Sequence, residues 1–157
     1  MEKNLILALD PSTTHIGWVV ASPTRYIDGW ETKHRGTAEE KLMEIHVLLT
    51  KEILSRKIST IIVEEPVYIK RRGKGDAGAR TFRVLCELGG VLRLTTVLAR
   101  KRFITVHPWA VKIALTKNRY AKKEQMIVAA KQQLGITEIG EHHADALSVW
   151  LAGKRKL

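Results

Sequence analysis

Leu5-Ile6-Leu7-Ala8-Leu9-Asp10-Pro11-Ser12-Thr13-Thr14-His15-Ile16-Gly17-Trp18 begins with five apolar residues in succession and halts on a carboxylate. A strand with one solvated face alternates apolar and polar residues, whereas an unbroken apolar run marks a strand covered on both faces. Residues 5–9 are therefore expected at the centre of a sheet. Asp10-Pro11-Ser12 should end that strand, because Pro cannot continue a central ladder. Residues 16–21 read as a second strand and residues 25–33 as a weaker third, joined by two hairpins.

Beyond this hairpin region the period changes. Leu42, Ile45, Leu48, Leu49 and Ile53 recur at spacings of three and four, so residues 37–56 are expected to be helical. The β-branched run Ile58-Ser59-Thr60-Ile61-Ile62-Val63 forms a strand that ends at Glu64-Glu65-Pro66. Residues 70–80, rich in Gly and Arg, have the composition of a loop, and residues 81–99 read as a long helix. Gly89-Gly90 interrupts that helix at up to about 1 kcal/mol per residue, which would be offset by a close helix contact there. A short strand at 103–106 and helices at 108–115, 122–134 and 141–151 complete the chain. This order predicts an α/β fold with a mixed five-stranded sheet flanked by helices, in one domain spanning 1–157.

Charge narrows the function classes. Lys and Arg number 27 against 16 Asp and Glu, a net charge of +11, with a pI near 10.0. The excess is clustered: Lys70, Arg71, Arg72, Lys74, Arg80 and Arg83 face only Asp76, and eight basic residues lie between Arg100 and Lys123 with no acidic one. Such clustering is the footprint of a polyanion partner, although a solvated basic surface has the same composition. The single cysteine, Cys86, has no partner for a bridge or zinc cluster and is expected to be a small buried hydrophobe. No apolar run approaches the roughly 20 residues of a membrane span, and the opening residues make a poor signal peptide. The expected location is cytoplasmic, or host-cell cytoplasm if the source is viral.

Three acidic elements carry the chemistry. Asp10 and Glu64 end the two strongest strands, and in such sheets sites lie just beyond the carboxyl ends of the parallel strands. Asp10 could instead open a turn, as Asp before Pro often does, and a lone Glu at a strand end is ordinarily a surface ion-pair partner. Glu65 should point away from Glu64, since strand side chains alternate. Glu141-His142-His143-Ala144-Asp145 opens the last helix, where His142 and Asp145, three apart, share a face and His143 does not. Acids at a helix start also serve as plain dipole partners. Together Asp10, Glu64, His142 and Asp145 offer mostly carboxylate oxygens, a set suited to Mg²⁺ or Mn²⁺. Two such ions, about 4 Å apart, can cleave phosphodiesters and also let like charges coexist.

Residues 7–18, Ile61-Ile62-Val63-Glu64-Glu65 and His142-His143-Ala144-Asp145-Ala146-Leu147 resemble RuvC-type Holliday junction resolvases of the ribonuclease H-like superfamily. Glu87-Leu88-Gly89-Gly90-Val91 looks like that family's glycine-containing helix. Residues 111–115 with Ala121-Lys122-Lys123-Glu124-Gln125 are similar to its next segment. The resemblance spans essentially the whole chain and implies a metal-dependent crossover junction endodeoxyribonuclease. Asp10, Glu64, His142 and Asp145 would be its metal ligands, with Mg²⁺ (or Mn²⁺), two ions per site, as cofactor, and Lys123 would assist catalysis. The position of His142 holds Asp or His in the family. The family further implies a homodimer that nicks four-way DNA junctions in pairs, leaving 5′-phosphate and 3′-hydroxyl ends.

Tyr68 is the nearest aromatic after the glutamate, where the family carries a junction-inserting ring. Lys70, Arg71, Arg72, Lys74, Arg80, Lys112, Lys122 and Lys123 are the candidate DNA contacts. The basic Gly-rich segment after Tyr68 departs from the family and leaves open a broader branched-DNA or flap nuclease, of viral type. A ribonuclease H acting on RNA–DNA hybrids would use the same acids. A non-catalytic junction-binding protein could grip phosphates through Lys70, Arg71 and Arg72 unaided. Sugar kinases open with a similar Thr-rich hairpin, but they need a second phosphate loop and a second domain.

Overall fold

The computed structural model describes residues 4–68 and 77–157. The opening apolar run is extended as β1 (Leu5–Pro11), which pairs antiparallel with β2 (His15–Ala21) on one side and parallel with β4 (Ile58–Glu64) on the other. β3 (Tyr26–Lys33) adds antiparallel to β2, and β5 (Arg102–Val106) adds parallel to β4. The sheet order is β3-β2-β1-β4-β5, which places β1 at the centre as its apolar run requires. β1 nevertheless runs through Pro11. Pairing with β4 ends at Leu9–Val63, whereas pairing with β2 continues to Pro11–Ile16. The missing N–H of Pro11 therefore falls where the strand has a neighbour on one side only.

Period two sorts the sheet residues between two cores. Ile6, Ala8, Val19, Ala21, Ile62 and Val106 pack under α5 (Glu141–Gly153), with Val111 of α3 (Pro108–Thr116) and Ala130 of α4 (Lys123–Leu134). Leu7, Leu9, Trp18, Val20, Ile61 and Val63 meet α1 (Ala38–Ser55) and α2 (Ala77–Leu98) on the other face. α1 starts at a capping box: Thr37 Oγ1 accepts from the Glu40 amide at 3.2 Å, and Glu40 Oε2 accepts from the Thr37 amide at 2.7 Å. It buries Ile45, Leu49 and Ile53, spaced four apart.

Three features of α2 depart from expectation. The helix begins at Ala77, so residues 77–80 are helical where loop composition pointed otherwise. Cys86 is exposed, not buried: α2 turns Leu88 and Leu92 into the core, and two residues from Leu88 is the far side of a helix. Among the described residues, Gly89 and Gly90 make no close helix contact, since a Cβ at either position would meet nothing within 4 Å. Among the described residues, no helix is long and apolar enough to cross a membrane.

α5 is the most buried helix. From Ala146 to Gly153 every residue is buried, and its approach to the sheet depends on two glycines. A Cβ on Gly17 of β2 would collide with the His142 carbonyl and come within 3.1 Å of Ala146 Cβ. At the other end, a Cβ on Gly153 would strike Ile62 of β4. These contacts fix where the first turn of α5 lies relative to the carboxyl end of β1.

Candidate metal centre

Parallel pairing sets the first two acids side by side. Leu9 of β1 is level with Val63 of β4, so the next residues, Asp10 and Glu64, stand at the same height along the two strands. Closing the following turn, a task Asp10 could have performed, falls to Ser12: its Oγ donates to the His15 carbonyl at 2.9 Å and accepts from the His15 amide at 3.0 Å. α5 crosses above with His142 and Asp145 on the turn facing these carboxylates. His142 Nδ1 stands 3.7 Å from Asp10 Oδ2, with the two side chains 21% and 15% exposed. That separation is too long for a hydrogen bond, and among the described residues Nδ1 is buried without a hydrogen-bond partner.

The charges of the four groups act on one another. Burial, then Asp10 and Asp145, push Glu64 up to about 8, while Lys112 opposes them. Burial, then Asp10 and Glu141, push Asp145 up to about 7 against His142 and Lys123. His142 is raised chiefly by its polar interaction with Asp10, with burial opposing. Among the described residues, no three His, Cys, Asp or Glu side chains are already drawn together tightly enough to clasp one ion. The set fits divalent cations on other grounds. Its donors are three carboxylates and an imidazole nitrogen with no hydrogen-bond partner among the described residues, and the charged forms of Glu64 and Asp145 are disfavoured by burial and by Asp10 in a way that a cation would relieve.

Glu64 and Glu65 separate as alternation requires. Glu65 turns to His107, whose Nε2 lies 3.9 Å from its Oε1. His143 also leaves the cluster: its ring stacks on Tyr26, with Nε2 3.1 Å from the Tyr26 hydroxyl. Lys123 opens α4 and forms an ion pair with Glu141 at the start of α5. Its hydrogen bond to Glu141 raises the Lys123 pKa, and the charges of Asp145 and Asp10 add to that despite burial. Lys112 of α3 is close enough to act on Glu64. Lys122 is the exposed N-cap of α4, and Arg80 is exposed on α2. Tyr68 is 50% exposed and packs edge-on against Phe82 of α2, with centroids 5.7 Å apart. Lys70, Arg71, Arg72 and Lys74 lie outside the described residues.

Two neighbours of the cluster carry no signal in the sequence. The His15 ring stacks on His142 at 4.9 Å with a 10° interplanar angle, and Glu31 Oε1 accepts from the His143 amide at 3.0 Å. Both support the first turn of α5 from strands more than 100 residues away in sequence. Periodicity carries no signal for such contacts.

The metal-free site should make stability fall with pH. Glu64 and Asp145 titrate higher in the folded protein than in the unfolded chain, so the folded state holds protons that the unfolded chain releases from about pH 4. Stability from these groups is complete below that range and is lost as pH rises through about 7 and 8. In chelator, the melting temperature should drop across this interval. Glu64→Gln should flatten the drop, and Mg²⁺ should reverse it. An equal slope in wild type and Glu64→Gln would show that Glu64 is not held against the other acids.

No protein-family profile matches the chain. It is 29% identical over 154 residues to the crossover junction endodeoxyribonuclease RuvC of Ehrlichia ruminantium (strain Welgevonden), covering 92% of each chain. It is 28% identical over 160 residues to the enzyme of the same name from Anaplasma marginale (strain St. Maries), covering 94% of this chain and 91% of the relative. Among solved structures, Thermus thermophilus RuvC in complex with a Holliday junction substrate superposes with a TM-score of 0.75 at 22% identity, covering 95% of this chain and 91% of that one. The chain is similar to RuvC along nearly its whole length, and it shares the ribonuclease H-like α/β fold of the solved RuvC structures.

Proposed function

We propose that this RuvC-like chain is a crossover junction endodeoxyribonuclease that hydrolyses phosphodiesters in four-way DNA junctions with divalent metal. The observation that carries the reading is the meeting of Asp10, Glu64 and Asp145, three half-buried carboxylates whose charges act on one another, beside His142 Nδ1, which has no hydrogen-bond partner among the described residues. Two divalent ions, Mg²⁺ with Mn²⁺ able to substitute, would activate a water and neutralise charge on the departing oxygen. Asp10, Glu64, His142 and Asp145 would hold them. Lys123, oriented by Glu141, would set its ammonium beside the phosphate charge that develops during cleavage. Lys112, Lys122 and Arg80 would grip flanking phosphates, where a charge of +11 favours polyanions. Two copies acting as a homodimer would make paired nicks, leaving 5′-phosphate and 3′-hydroxyl ends.

A panel of four-way junction, flap, duplex and RNA–DNA hybrid tests this reading, each assayed with Mg²⁺ and with EDTA. The junction should be cut in opposed strands in Mg²⁺, and no substrate should be cut in EDTA. Preferential cutting of the flap would make it a broader branched-DNA nuclease. Preferential cutting of RNA in the hybrid would make it a ribonuclease H. Tight junction binding in EDTA with no cleavage after Mg²⁺ or Mn²⁺ is added would make it a binding protein and overturn the proposal.

A further inference from the structure

Beside Glu64 opens a groove of about 1200 Å³, walled by α2, by the carboxyl ends of β4 and β5, and by α3 with the residues that follow it. On the α2 side it is widened by Gly89 and Gly90, whose missing side chains face open space. On the far side stand two aromatic rings that the metal centre does not use. Trp109, in the first turn of α3, is 63% exposed, and Tyr120, between α3 and α4, is 70% exposed. Neither belongs to a buried cluster, yet both are held in place. His107 packs edge-on against Trp109 at 4.8 Å and accepts from the Trp109 amide at 3.3 Å. The Arg119 guanidinium lies 4.6 Å over the Tyr120 ring, and the Tyr120 amide donates to Asn118 Oδ1 at 2.9 Å.

Among the described residues, the cations of the groove are Arg93, Lys112 and Arg119. Its acids are Glu64, which belongs to the metal centre, and Glu65, which is turned to His107. Exposed aromatic faces interleaved with basic side chains are the means by which proteins hold unpaired nucleotides: bases stack on the rings and phosphates meet the charges. An apolar protein segment would not call for this basic lining. The volume is ample for a nucleotide, since compact pockets for ligands of comparable size run from roughly 300 to 1,000 Å³.

We propose that Trp109 and Tyr120, the latter backed by Arg119, form a stacking platform for unpaired bases of the DNA strand that leaves the duplex next to the scissile phosphate. The platform rests on the nuclease reading, deepens it, and sets how a branch point is presented to the carboxylates. It is distinct from Tyr68, which stands beside α2 at the other side of the groove.

The test compares a four-way junction with an otherwise identical one that carries abasic nucleotides at the positions flanking the branch, bound in EDTA at fixed salt. Wild type should bind the abasic junction on the order of 5- to 150-fold more weakly, the range expected for one stacked base. Trp109→Ala with Tyr120→Ala should bind both junctions alike, and Trp109→Phe should restore most of the preference. Both rings are exposed, and an unchanged melting temperature would establish that the variants fold. Equal binding of both junctions by wild type, or an intact preference in the double variant, would overturn the platform. Junction cleavage in Mg²⁺ by the same wild-type preparation separates the two readings: cleavage without base preference removes the platform alone, and no cleavage removes the nuclease.

Discussion

Gly17→Ala should cripple junction cleavage and lower the melting temperature together, although residue 17 contributes no functional group. The added Cβ would collide with the His142 carbonyl, a backbone atom that cannot rotate aside. The first turn of α5 must then lift from β2, carrying His142 and Asp145 away from Asp10 and Glu64. Overpacking of this kind costs about 1–3 kcal/mol of stability, and a displacement of about 1 Å at a reacting centre costs on the order of a hundredfold in rate. Gly153→Ala is the matched control. Its Cβ would meet Ile62 at the opposite end of the same helix, so it should lose comparable stability while keeping most of the activity when assayed well below its melting temperature. Wild-type cleavage and an unchanged melting temperature in Gly17→Ala would mean that α5 does not rest on that glycine.

The second large effect is expected from Asp10→Asn. The amide keeps the shape of the side chain and removes the carboxylate nearest to His142, which also acts on both Glu64 and Asp145. If bound cations supply several kcal/mol of charge stabilisation during phosphodiester cleavage, loss of one ligand should slow the reaction about a thousandfold or more. Junction binding in EDTA should be unchanged, because the grip on DNA comes from Lys and Arg at phosphates and not from this acid. The variant should also melt higher than wild type at pH 8 in chelator, since one member of a repelling trio is gone. Retained cleavage would remove Asp10 from the site.

Much of the framework was legible in one dimension because burial leaves a periodic trace. Five apolar residues in succession place β1 inside the sheet, and the β-branched run at 58–63 does the same for β4. A carboxylate directly after each run stands out as an expensive group that needs a partner. Three-residue spacing puts His142 and Asp145 on one face of α5 and turns His143 toward Tyr26. The same rules failed where a residue's surroundings depend on which element lies opposite. Cys86 sits in an apolar run yet is exposed, because α2 turns Leu88 and Leu92 inward instead. Gly89-Gly90 looked like a packing contact and instead faces an open groove. Pro11 has the composition of a terminator, but the pairing of β1 with its parallel neighbour stops two residues earlier, at Leu9–Val63, and leaves the proline unopposed on that side.

The sequence by itself determined the order of the elements, the central place of β1, the basic character of the surface, and which acids end the strongest strands. Those properties are local: each is a matter of composition or of a period along one segment. Tertiary structure alone decided that Asp10 and Glu64 are level, that α5 settles on Gly17, that His15 stacks on His142, and that Lys123 reaches Glu141. It also gathered Trp109 and Tyr120 around one groove with Glu64. Distances between elements are set by close packing of whole faces, where a single absent methyl decides how near two backbones come. No period along one segment encodes that.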